Sequence, residues 1–285
     1  MKHKREENQH DNLEQVTRYY SKKESRVGYS LLLGGTKHYG YYLKGDKPWA
    51  FNRALRQMEE KLALALSVPP GSHVLDAGSG VGDVAAYLAA NHHLKVTGIE
   101  ILDANLREAR RRAEERGLSH SVDFRRMSYS ELDFPADHFD GVYTMETLVH
   151  AIDADKVLQE FWRVLKPGGR LVLFEYSRTP DREMSPRAAR TLRQINEVAA
   201  MPSFQRFEHG VLSTLMTDAG FSNIDSEDIS EHIWPMIGAF AALAAVPYVL
   251  AKLAGREAKF VNTVSAVEGW RYRRYWHYNI MTANK

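Results

Sequence analysis

The stretch Val74–Ala89, VLDAGSGVGDVAAYLA, decides how the rest of the chain is read. Four apolar-rich residues, VLDA, have the look of a buried strand. Gly78, Gly80 and Gly82 then make a turn, and an alanine-rich helix begins. In an open α/β sheet, ligands sit at the carboxyl ends of the strands, where this turn lies. Glycine there lets backbone approach a ligand, and a helix N-terminus favours negative charge. A dinucleotide fingerprint needs a third glycine at position 83, but that position is Asp83. A pyrophosphate would meet its carboxylate. Asp76, two residues before Gly78, adds another. The ligand expected here carries positive charge and no phosphate.

Outward from this turn, strands and helices alternate. HVLDAG and KVTGIE are read as strands around the helix VGDVAAYLAAN. A helix follows from Asp103, taken as its cap, to Arg116. VDFRRM and FDGVYTME are further strands. ADKVLQEFWRVL is a helix ended by KPGG, and RLVLFEY is a strand. This rhythm predicts a doubly wound, mostly parallel, seven-stranded Rossmann-like sheet. Before it, Leu55, Met58, Leu62 and Leu66 mark an amphipathic helix that VPPGS ends. After Tyr176 the rhythm breaks at Pro180 and Pro186. A helix is expected over 187–200, another near 209–219 and a strand near 223–229. The closing YWHYNIMTANK alternates like a last strand.

The predicted organisation is a polar tail and tyrosine-rich helical lid over 1–48, then one domain over 49–285. Segments 178–222 and 231–270 are expected to form a substrate-covering helical cap. From Ile233 to Ala251 no residue is charged, the lower limit for a membrane span. Pro235 and Pro247 interrupt the run, so a cap over an apolar cavity is the preferred reading. Peripheral contact with a membrane is compatible with it, as is a homodimer.

Composition excludes several classes. The 285 residues carry a net charge of +2 and no cysteine, so neither a thiolate site nor a charge-driven nucleic-acid partner is implied. REARRRAEER interleaves acids and bases as a solvated helix face does. GWRYRRYWHYN mixes cations and aromatics but lies where the last strand begins. The charged N-terminus precedes no apolar run, so no secretory signal is expected, and a cytoplasmic protein is.

S-adenosylmethionine satisfies the charge requirement, with its ammonium, its sulfonium and no phosphate. Glu100 ends the second strand, where a carboxylate can accept bonds from ribose hydroxyls. VLDAGSGVG, VTGIE, FDGVYTMETLVHAID and EFWRVLKPGGRLVLFE together resemble the successive motifs of class I S-adenosylmethionine-dependent methyltransferases. METLVHA is similar to a segment of sterol C-methyltransferases. VTRYYSKKESRVGYSLLLGGTKHYGYY resembles the lid of that group and of tocopherol-type enzymes.

The resemblance implies that Asp76, Gly78, Ser79 and Gly80 line the methionine end of the cofactor. Glu100 would hold the ribose, and Ile101 would lie against the adenine. Met127 and Ser128 stand where the family often has Gly-Asp. Glu146 ends the fourth strand, where cofactor and substrate meet. A sulfonium methyl is already activated, so no metal is expected. The substrate class implied is a lipophilic small molecule such as a sterol, terpenoid, prenylated or polyketide-like metabolite.

Carbon methylation of an alkene makes a carbocation, which aromatic faces stabilise. Tyr19, Tyr20, Tyr29, Tyr39, Tyr41 and Tyr42 are the candidates, with Tyr20 kept as a catalytic residue. Simple packing over the sheet edge is the alternative for each. Glu146 or His150 would take the proton. For a hydroxyl, phenol or amine acceptor, His150 or His38 is the base expected. Carbon methylation is preferred. Oxygen or nitrogen methylation and a non-catalytic cofactor-binding partner are the alternatives.

Overall fold

The computed structural model describes residues 36, 38–256 and 260–285. Its organising element is a seven-stranded sheet built from β1 (His73–Ala77), β2 (Lys95–Glu100), β3 (Val122–Arg126), β4 (Phe139–Met145), β5 (Leu165–Arg178), β6 (Ser222–Asp228) and β7 (Trp276–Asn284). The strand order is β3-β2-β1-β4-β5-β7-β6. β7 runs antiparallel to both β5 and β6, and the other pairings are parallel. β1 lies centrally, with Asp76 beside Gly98 of β2 and Tyr143 of β4. The carboxyl ends of β1, β2 and β4 therefore open together, where the order reverses.

Helices cover both faces. α1 (Phe51–Leu66) buries Leu55, Met58, Leu62 and Leu66, the predicted stripe. α2 (Asp83–His92) and α3 (Asp103–Glu115) follow β1 and β2. α4 (Ala154–Val164) begins at Asp153, whose side chain accepts Lys156 N–H. α5 (Pro186–Val198) has Ser185 as its cap and proline at its first position. α6 (Val211–Asp218) precedes β6. α7 (Ser230–Leu253) and α8 (Val261–Arg271) stand between β6 and β7 and pack on each other.

Several expectations change. KPGG does not end a helix in a turn. α4 passes directly into β5, and Lys166–Gly169 form its irregular start, where the register with β4 shifts. Asp103 is not the cap of α3. Leu102 occupies that position, and the Glu100 carboxylate accepts Ile101 N–H and Leu102 N–H. Pro235 and Pro247 do not interrupt α7. Each removes one backbone bond, and packing of Ile233, Met236, Ile237 and Tyr248 keeps the helix continuous. β7 does not alternate in burial, because it lies between two strands with helices over the sheet.

Residues 40–42, ahead of α1, are bolted to α1 and α7. Tyr41 N–H donates to Ala54 O at 2.8 Å and Tyr42 N–H to His232 O at 2.9 Å. Tyr41 stacks on His232 with centroids 4.0 Å apart. A Cβ on Gly40 would fall 2.5 Å from Ala54 Cβ, so only glycine permits this approach.

Asp83, the first residue of α2, is buried and held by α3. Arg112 donates to one carboxylate oxygen at 2.5 Å and Arg116 to the other at 2.8 Å. Replacing both arginines by alanine leaves a buried carboxylate without its cations and should cost about 3 kcal/mol. The urea midpoint should fall with an unchanged slope. Adding Asp83→Asn should recover most of the loss; no recovery would mean that packing, not charge pairing, sets the cost.

Candidate functional site

The turn after β1 takes its shape from three glycines with positive φ: Gly78 at 104°, Gly80 at 53° and Gly82 at 79°. Gly78 N–H and Ser79 N–H both donate to Ile99 O, which pins the turn to β2. At Gly78 a Cβ would sit 2.5 Å from Thr147 Cγ2, and the Thr147 hydroxyl donates to Ala77 O at 2.8 Å. The turn is thus clasped from the β4 side. At Gly80 a Cβ would meet nothing, so the backbone there faces open space.

That space is a cavity of about 400 Å³. His38, Asp76, Gly78, Ser79, Gly80 and Glu100 line it, as do Ile101, Met127, Ser128, Glu146 and His150. Among the candidates, Tyr20 lies outside the described residues, as do Tyr19 and Tyr29. Tyr41 and Tyr42 do not line the cavity. Tyr41 is stacked on His232, and the Tyr42 hydroxyl donates to Pro48 O. Tyr39 does not line it either; the tyrosines that do are Tyr129, beyond β3, and Tyr143, within β4. The lining ends at Ile152, so segments 178–222 and 231–270 contribute no wall to this cavity. The former still touches its rim, since His150 Nδ1–H donates to Ala200 O and the Ser203 hydroxyl to Ala151 O.

The carboxylates divide by how they are satisfied. Glu100 accepts Ile101 N–H at 2.7 Å, Leu102 N–H at 2.9 Å and Asn105 Nδ2–H at 3.0 Å, so its direction is set by its own loop. Asp76 is 4% exposed, and its Oδ2 has no hydrogen-bond partner among the described residues. Burial pushes its carboxyl up to about 7 and nearby Glu100 adds to the rise, while Tyr143 and His38 oppose it. Asp83 faces the same cavity, but its two arginines neutralise it. Its charge is therefore a weaker bar to phosphate than the sequence implied.

Glu146, at the end of β4, has φ of 58°, a strained value for a residue with a side chain. Its backbone N–H is held by Phe174 O. Its carboxylate collects three donors: Tyr39 N–H at 2.9 Å, the Tyr278 hydroxyl at 3.0 Å and the Tyr176 hydroxyl. Burial raises its pKa, and the hydroxyl of Tyr176 and the other donors offset part of that. The three rings pack edge to face around it, with Tyr176 and Tyr278 5.4 Å apart. The expected base thus has two donors on Oε1 and one on Oε2. His38 is likewise engaged. Its Nδ1–H meets Tyr39 O at 2.8 Å, and Nε2 lies 3.6 Å from buried Glu59. Burial would lower the His38 pKa, but Glu59 and the Tyr39 carbonyl outweigh it and the net shift is upward.

Sequence reading missed Thr36, Asn105, Tyr129, Tyr143, Thr147 and Glu175. Glu175 is fully buried in β5, accepts Leu148 N–H at 2.6 Å, and is pushed by burial up to about 8. It holds the turn that carries His150. A lone glutamate within LVLFEY was the available signal.

Comparison with known proteins places the chain in context. Residues 75–173 match a family model described as a methyltransferase domain. The chain is 40% identical, over 95% of its length and 94% of the relative's, to an S-adenosyl-L-methionine-dependent Diels-Alderase, iccD, from Talaromyces variabilis. It is 29% identical to the sterol 24-C-methyltransferase erg6 of Aspergillus fumigatus, over 79% of this chain and 60% of that one. The crystal structure of the (4+2)-cyclase SpnF superposes with a TM-score of 0.71 at 26% identity, covering 91% of this chain and 95% of that one.

The Glu146 tie should be visible in stability. Glu146→Ala strands three donors and should cost about 3 kcal/mol. Glu146→Gln keeps an acceptor for Tyr39 and Tyr278, and the Tyr176 hydroxyl can accept from the amide, so about 1 kcal/mol is expected. Urea unfolding measures both, and equal losses would refute the three-donor account.

Proposed function

The chain belongs to the class I S-adenosylmethionine-dependent methyltransferase family, with S-adenosylmethionine as its cofactor. On that premise we propose that it cyclises an acyclic, lipophilic polyene by an intramolecular Diels–Alder reaction. The observation that carries this reading is the Glu146 carboxylate, which three donors hold where a proton acceptor was expected. In the cycloaddition, two carbon–carbon σ bonds form as three π bonds become one. Nothing leaves and no proton moves, so no base is needed. The Diels-Alderase and cyclase relatives support the same reading.

The cofactor fits the residues that are present. Asp76 offers an unpartnered buried carboxyl oxygen to its ammonium group. The open side of Gly80 and the clasped turn at Gly78 let backbone approach its methionine end. Glu100 is oriented by three N–H donors, and Oε2 keeps a lone pair for a ribose hydroxyl. Ile101, Met127 and Ser128 line the same cavity and would hold the adenine, the first two by apolar contact. Bound there, the cofactor supplies a fixed sulfonium charge and an activated methyl group.

The chain's own residues do the remaining work. Tyr129, Tyr143 and the Met145–Ile152 turn line the cavity beside the cofactor residues, and a polyene held folded against them would meet a lower entropic barrier. Ala200 and Ser203 brace that turn from the segment assigned as cap. Methyl transfer to a lipophilic acceptor is the second reading, with carbon methylation preferred. It is favoured by the sterol 24-C-methyltransferase relative and by the place of His150 in the cavity lining, with its Nδ1–H fixed by Ala200 O.

Two measurements test these readings. Asp76 must be ionised to pair with an ammonium group, and burial pushes its carboxyl up to about 7. Affinity for S-adenosylhomocysteine, followed by calorimetry, should therefore weaken about tenfold per pH unit below that value and level off above it. Binding at about pH 6 should release a proton. Asp76→Asn should weaken binding and flatten the profile, whereas a flat wild-type profile would remove Asp76 from the amine site.

For the reaction, an acyclic polyene bearing a diene and a dienophile should give a product of unchanged mass with either S-adenosylmethionine or S-adenosylhomocysteine. Glu146→Gln should keep the rate within about tenfold, where loss of a proton-transfer group costs about 10²–10⁴. A product heavier by one CH₂, formed only with S-adenosylmethionine, would overturn the cyclase reading in favour of methyl transfer.

A further inference from the structure

α7 has two unlike faces. Ala241, Tyr248 and Ala251 are buried on one side of its second half. On the other side Leu243, Val246, Val249, Leu250 and Leu253 are exposed, Val246 by 70% and Leu253 by 81%. At 100° per residue these five side chains fall within an arc of roughly 120°, opposite the buried three. Phe260, at the start of α8, adds another exposed ring at the same end of the helix pair. A contiguous apolar stripe of this size is unusual on a surface that meets only water.

Charge distinguishes what could cover it. Between Glu231 and Glu257 the sequence has no acidic residue. The lysine and arginine in that interval are Lys252 and Arg256, both exposed at the apolar end of the helix; Lys252 Nζ reaches the Tyr248 hydroxyl at 3.3 Å, and Glu257 follows Arg256 in the sequence. Lys259 follows them in the sequence. An apolar stripe edged by cations suits an interface with apolar chains beneath anionic headgroups. A membrane span is a different matter. Ile233, Met236 and Ile237 are buried in the fold, and the Tyr248 hydroxyl pins α7 to Glu268 of α8. Only the outer face of the second half is available.

We propose that the outer face of α7, from Leu243 to Leu253 with Lys252 and Arg256, docks the protein on an anionic lipid surface, lying in the interface rather than crossing it. The docking is independent of which reaction the cavity performs. It would place a protein with a lipophilic substrate beside the phase in which that substrate dissolves.

Flotation of the full chain with vesicles tests the proposal. Vesicles of phosphatidylcholine with phosphatidylserine should carry the wild type upward, and pure phosphatidylcholine should carry much less. Added salt should release the protein from the anionic vesicles. Lys252→Gln with Arg256→Gln should lower partitioning about thirtyfold, at about tenfold per 1.4 kcal/mol and about 1 kcal/mol per cation. Leu250→Asp with Leu253→Asp should lower it about tenfold or more while leaving the urea midpoint unchanged, because both side chains are exposed. Two results would overturn the proposal. One is failure of the wild type to float with anionic vesicles at low salt. The other is a wild-type dimer in solution that the paired aspartates turn into a monomer, which would make a second copy the occupant.

Discussion

A single carboxylate ties together the parts of this molecule that lie far apart in sequence. Glu146 accepts from Tyr39, Tyr176 and Tyr278, which stand 107, 30 and 132 residues away. A carboxylate taken out of water is costly unless its lone pairs are satisfied, and three donors meet that need here. The consequence is geometric. Tyr39 ahead of α1, the end of β4, the carboxyl end of β5 and the antiparallel strand β7 must all come to one point for the charge to be tolerated. The positive φ of Glu146 is the strain that this convergence sustains.

The other carboxylates of the site follow a graded pattern. Asp83 is neutralised by Arg112 and Arg116, and Glu100 is satisfied by the N–H groups of its own loop. Glu175 accepts one backbone N–H and is pushed toward its neutral form. Asp76 alone combines a lining position, burial and an oxygen without a partner among the described residues. Tyr143 stands beside it on β4, its buried hydroxyl also without a partner among the described residues, and Tyr129 and Ile152 add aromatic and apolar surface to the same cavity.

This division explains how one family frame can serve different chemistries. The cofactor end depends on strand ends and glycine turns, which the doubly wound sheet supplies wherever its order reverses. The chemistry depends on which groups remain uncommitted beside it. Here the histidines and the glutamate that would move a proton in methyl transfer are engaged by carbonyls, a carboxylate and phenols. The outer face of α7 is set by a separate constraint, since the same helix must bury one side against α8 and present the other to its surroundings.

Local sequence pattern specifies much of this architecture. The strand–glycine–helix order of Val74–Ala89, the amphipathic spacing of α1 and the recurrence of βα units specify the sheet, because periodicity and glycine act over a few residues. The same logic put Asp76, Gly78, Gly80 and Glu100 at strand ends, where they do share one cavity. It could not say which charges were already paired. Asp83 reads as a bare carboxylate until α3 brings two arginines from 29 and 33 residues on. Glu146 reads as a base until β5 and β7 deliver their tyrosines, and Tyr41 reads as a cavity ring until α7 stacks His232 upon it. The sequence by itself determined the fold and the residues that meet at the carboxyl ends of β1 and β2 to line one cavity. Only tertiary structure decided which of those groups remain chemically available, because hydrogen bonds and desolvation depend on partners that the chain brings together from a distance.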